Sequence, residues 1–66
     1  MDRDTIIKIM ELLANAKREY LKVVDETECE AVKQCYLKYA NGMNMALDKI
    51  YGYARRNGID VSEVEW

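Results

Sequence analysis

From Cys29 to Asn57 one apolar 3–4 repeat runs without a break through Cys29, Val32, Tyr36, Tyr39, Met43, Ala46, Ile50 and Tyr53, and its register closes on Asn57. Spacings that alternate three and four without a phase slip are those of a helix seam. A seam of that length leaves no room for a sheet, so the chain is read as all-α. Its flanks are apolar as well, at Leu37, Ala40, Met45, Leu47, Tyr51 and Ala54. That is more apolar surface than one antiparallel neighbour covers, and the excess predicts a partner.

The segment before it reads as a second helix, from about 5 to 24. Ile6, Ile9, Leu13, Ala16, Tyr20 and Val23 form its main stripe, and Ile7, Ala14 and Leu21 form a parallel line beside it. Asp2 and Asp4 suit the capping and dipole positions at its start. Between the helices, Thr27-Glu28-Cys29-Glu30 matches a capping box, in which Thr27 would accept from the Glu30 amide and Glu30 would reach back. A connection of a few residues makes the two helices antiparallel neighbours.

The second helix is expected over about 28–57. Arg55 and Arg56 complement its carbonyl end, Gly58 suits a left-handed C′ position, and Ile59 suits the hydrophobic position after it. Residues 1–58 then form the hairpin domain and residues 59–66 a tail. Asn41-Gly42 is a common turn dipeptide, and a turn there would give a three-helix bundle instead. Because Tyr39, Met43 and Ala46 hold phase across it, one continuous helix is the preferred reading.

On these lengths helix two outruns helix one, so the stretch from Leu47 to Ala54 needs cover from the tail, a target or a second copy. With 66 residues, a lone core supplies only about 3–5 kcal/mol. Disulfides do not help, since Cys29 and Cys35 project about 120° apart on one helix. No metal is expected: the chain has no His, and its two Cys match no zinc spacing. Oligomerisation remains, and two hairpins closing into a homodimeric four-helix bundle satisfy both apolar flanks. In length, hairpin form and trailing tail this layout resembles the small plasmid-encoded RNA-modulating hairpin family known as Rop. The likeness is one of layout, with no shared residue motif, so no RNA-contacting residue carries over.

No catalytic constellation is present. His-based chemistry is excluded, the acids sit at helix ends and on polar strips, and no glycine loop is built for phosphate. Cys29 begins a helix, but Glu28 and Glu30 oppose thiolate formation there. The chain is therefore read as a non-enzymatic protein without a cofactor. The function expected is a small protein-binding regulator or inhibitor of the kind carried by bacteria, phages and plasmids. Its self-association or partner interface is assigned to Leu37, Met43, Met45, Leu47, Ile50, Tyr51, Tyr53 and Trp66, since Met and Tyr suit adaptable interfaces.

The alternative is an RNA- or DNA-binding modulator. Residues 33–56 carry five basic side chains against the single acid Asp48, a local excess of four. Lys38, Lys49, Arg55 and Arg56 are the candidate nucleic-acid contacts. The whole chain is weakly acidic, with 10 basic and 12 acidic residues, which counts against a broad nucleic-acid footprint. With no apolar leader, no run of membrane-spanning length and two unpaired thiols, a soluble cytoplasmic protein without membrane contact is expected.

Overall fold

The computed structural model describes residues 1–66 and contains two helices packed antiparallel. Helix α1 spans Arg3–Glu26 and α2 spans Glu30–Arg56. The molecule is a rod, with extents of 43 × 15 × 15 Å.

α1 is longer than its apolar pattern predicts because both its ends are satisfied. Asp2 is the N-cap, and its Oδ1 accepts the Thr5 backbone N–H at 2.8 Å. Thr27 is the C-cap and donates its N–H to the Val23 carbonyl at 2.9 Å. That assignment removes the expected capping box. Thr27 Oγ1 accepts instead from the Cys29 amide at 3.1 Å, and Cys29 is the N-cap of α2 without a side-chain cap bond. The Glu30 carboxylate accepts from Gln34 Nε2, one turn into α2. Both cysteines are exposed and free.

α2 runs straight through Asn41-Gly42, as the phase of its apolar positions requires, so the three-helix alternative falls. It ends as the sequence indicates. Gly58 has φ +68°, the Ile59 N–H donates to the Ala54 carbonyl at 2.8 Å, and the Gly58 N–H donates to the Arg55 carbonyl at 3.1 Å. These are the two bonds of a Schellman motif, and glycine takes the left-handed position without the Cβ clash other residues meet.

Two expectations need correction. First, the helices are nearly equal, at 24 and 27 residues, and a difference of three residues amounts to about 4.5 Å. The end of α2 therefore has α1 beside it. Second, the interhelical seam is not the 29-to-57 repeat. The buried residues of α2 are Ala40, Leu47 and Ala54, spaced seven apart. They lie on the line that looked like a flank, rotated about one residue from the expected stripe. Small side chains at 40 and 54 let the helices approach, while Tyr39 and Tyr53, on the expected stripe, stay at the edge.

Opposite this line α1 buries Ile6, Ile7, Met10 and Ala14, and the tail adds Val61 and Val64. Only nine of 66 residues are buried, so the hairpin depends on its tail for a large share of its core. Ile6, Met10 and Leu47 are the large side chains fully removed from solvent.

Candidate functional site

The tail runs along the groove between the helices, from the start of α1 towards its middle, and cations on α1 hold it there. Arg3 Nε donates to the Asp60 carbonyl at 2.9 Å, and the Arg3 guanidinium also pairs with Glu63. Arg18 donates to the Glu65 carbonyl at 2.7 Å, and Lys17 Nζ donates to the Trp66 carbonyl and to Asn44 Oδ1 on α2. The Trp66 ring lies 5.9 Å from that of Tyr51. Within the tail, Asp60 Oδ1 accepts the Ser62 N–H at 2.9 Å. Bonds from the Ser62 hydroxyl and then its amide hold the Asp60 carboxyl below its ordinary value. The Thr5 backbone amide, then its side chain, does the same for Asp2.

Because the tail occupies one side of the hairpin, the opposite side is bare. Successive helix residues turn by about 100°. Arg3, Ile7, Ala14 and Arg18 of α1, with Tyr51 of α2, therefore mark the covered side. Ile9, Ala16 and Val23 of α1, with Val32, Tyr39, Ala46 and Tyr53 of α2, mark the other. They belong to the two stripes that the sequence presents as seams, whose other members reach into the interface, Ile6 fully and Leu13 and Ile50 in part.

Exposure falls accordingly. Tyr39 is 52% exposed and Tyr53 38%, while Leu12 and Met45 on the outer flanks reach 70% and 66%. Met43, Ala46, Ile50, Ile9, Leu13, Ala16 and Val23 are half-buried. At one end Met1, Ile6, Ile9, Ile50 and Tyr53 line an apolar cavity of about 180 Å³ with Lys49 at its rim. Towards the other end Tyr20, Tyr36 and Tyr39 form an edge-to-face cluster, with ring centroids 5.2–5.8 Å apart.

No family model, no curated protein and no solved structure matches the chain.

The eight interface residues named from the sequence divide three ways. Met43, Ile50 and Tyr53 lie on the bare face, and Met45 sits on its outer flank. Leu37, Tyr51 and Trp66 lie on the tail side, where Tyr51 and Trp66 pack together. Leu47 is fully buried in the chain's own core, so it has no surface to offer a partner. The candidate nucleic-acid contacts also divide. Lys38, Lys49 and Arg56 line one outer edge of α2, whereas Arg55 points elsewhere, with its guanidinium 5.9 Å from the Tyr51 ring centre.

Sequence reasoning left Leu12, Val32 and Tyr39 out of the interface. For Val32 and Tyr39 the signal was the repeat itself, read as a buried seam; Leu12 lies outside both stripes. The clasp of Arg3, Lys17 and Arg18 on tail carbonyls had no sequence signal, because a carbonyl acceptor is the same at every residue. No three Cys, Asp or Glu side chains gather as a metal-binding group, and neither helix is long and apolar enough to cross a membrane.

Proposed function

We propose that this chain is a non-enzymatic regulator or inhibitor that works by binding another protein through a helical surface, and that the surface is the bare face of the hairpin. The observation that carries this reading is a contiguous apolar face shared by both helices. It extends from the cavity at Ile9, Ile50 and Tyr53 to the cluster around Tyr39, and no part of the tail covers it. Exposed apolar patches of that extent on small proteins mark interaction sites. Tyr and Met are enriched at interfaces, Met because its flexible thioether chain adapts to irregular partners. Helices laid on this face, from a target or from a second copy, would close a four-helix bundle.

The test is capture of a binding partner by the immobilised chain. Tyr39→Glu and Tyr53→Glu are expected to abolish capture while leaving helix content unchanged. Asp48→Ala, off that face, is expected to leave capture intact. Retained capture by both tyrosine variants would sink the proposal. If the captured material is instead nucleic acid whose affinity falls steeply with salt, the basic edge of α2 is the functional surface.

A further inference from the structure

Gly42 has no purpose within the single chain. It lies inside α2, where glycine is a poor helix former, and it carries no positive φ. A Cβ placed on it meets nothing within 4 Å. Nothing in the hairpin needs the missing side chain, yet Gly42 falls at the edge of the bare face beside Ala46, with Cys35 two turns before it. Such a track suits a second helix that approaches closely.

We infer that the occupant is a second copy of this chain, related by a two-fold axis parallel to the helices, so that α1 of each copy lies on α2 of the other with Ala16 against Gly42. This rests on the bare face being a binding surface and names what binds there. In such a pairing each α1 residue meets, on the partner, the α2 residue that stands at its own level within the hairpin. The level is read from Tyr20 beside Tyr36 and Tyr39 and from Ile9 sharing a cavity with Ile50. Same-level partners across the interface are then Ala16 with Gly42, Leu12 with Met45 and Ala46, and Glu19 with Lys38. Leu12 and Met45 are, with Met1, the three most exposed apolar side chains, and this pairing brings the two together.

Charge selects the arrangement. The outer edge of α2 carries Lys38, Lys49 and Arg56 and no acid, while that of α1 carries Glu19 and Glu26 with Lys8. The chain's own ion pairs are Arg3 with Asp4 and Glu63, and Lys22 with Glu26, so Glu19, Lys38, Lys49 and Arg56 have no partner within it. A perpendicular axis would lay α2 on α2 and bring Lys38 of each copy near Lys49 of the other. The parallel axis places Glu19 by Lys38, and its one like-charged pair, Lys8 with Lys49, reaches into solvent. Size also suffices: a face of 43 by 15 Å amounts to roughly 1,300 Å² over two copies, above the roughly 1,000 Å² a specific interface needs.

The experiment is mass measurement of the full chain by sedimentation equilibrium across a concentration series. The wild type is expected at twice 7.7 kDa at tens of micromolar. Gly42→Leu has room in the single chain and is expected to keep its helix content, yet to weaken the dimer by more than roughly tenfold through overpacking. Glu19→Lys and Lys38→Glu are each expected to weaken it by roughly fivefold, and the two combined in one chain to restore it. A Gly42→Leu dimer as tight as wild type, or a charge swap that does not restore assembly, overturns the pairing. If the wild type is a monomer while Tyr39→Glu still abolishes capture of a target, the pairing falls and the binding face stands. If Tyr39→Glu affects neither assembly nor capture, both fall.

Discussion

The two sides of this hairpin start from the same material and end differently. Each offers apolar side chains from both helices at 3–4 spacing. On one side Val61 and Val64 complete the core and α1 cations fasten the tail by its carbonyls; on the other, Tyr39, Tyr53 and Ile50 meet solvent or a partner. Periodicity therefore marks a surface that can be buried, without saying what buries it. The covered side is the structural half of the molecule and the bare side is its candidate functional half.

Substitutions can separate the two. The largest effect is expected at the shared centre: Leu47→Ala should cost about 2–5 kcal/mol of stability by leaving a cavity, measured by chemical denaturation. An effect below that range would mean that the covered side is looser than its burial indicates. Next, Val61→Ala removes two buried methyl groups and should cost about 1.6 kcal/mol at about 0.8 kcal/mol each. It should leave binding through the bare face unchanged, and equal losses of stability and binding would break the division between the sides.

A smaller change of opposite sign is expected at Gly42→Ala. Within the single chain it should stabilise α2 by roughly 0.5–1 kcal/mol through helix propensity, read as a higher melting temperature at concentrations too low for assembly. The smallest effect is the acid response of the tail and cap. Asp60 and Asp2 titrate below their ordinary value of 3.8 when folded. The folded state thus binds fewer protons than the unfolded one near that pH. Their contribution is present above pH 3.8 and is lost as pH falls through the lower folded values. Asp60→Asn should flatten the acid limb of a melting-temperature profile, and an unchanged limb would mean that the bonds between the Asp60 carboxylate and Ser62 add nothing to stability.

Much of the fold was legible because it follows from local rules. Two antiparallel helices, the short connection, continuity through Gly42 and the Gly58–Ile59 terminus are all set by spacing and capping chemistry within a few residues. The capping box at Thr27 failed for a related reason: the same threonine could end α1 or begin α2, and α1 ran on to claim it. Of the candidate interface, Met43, Ile50 and Tyr53 stand on the 29-to-57 stripe and Leu47 on the line beside it, but pattern alone did not say which line would be buried.

What the sequence determined by itself is helix: the phase of its apolar residues, and where that phase starts and stops. Only the tertiary structure decided which stripe became the core. Each helix carries two adjacent apolar lines, and burial on either satisfies the hydrophobic effect equally well. The choice fell to contacts between distant residues. Ala40 and Ala54 allow the helices to close, and Arg3, Lys17 and Arg18 seat the tail on one side only. That leaves the 29-to-57 repeat on the side that remains open.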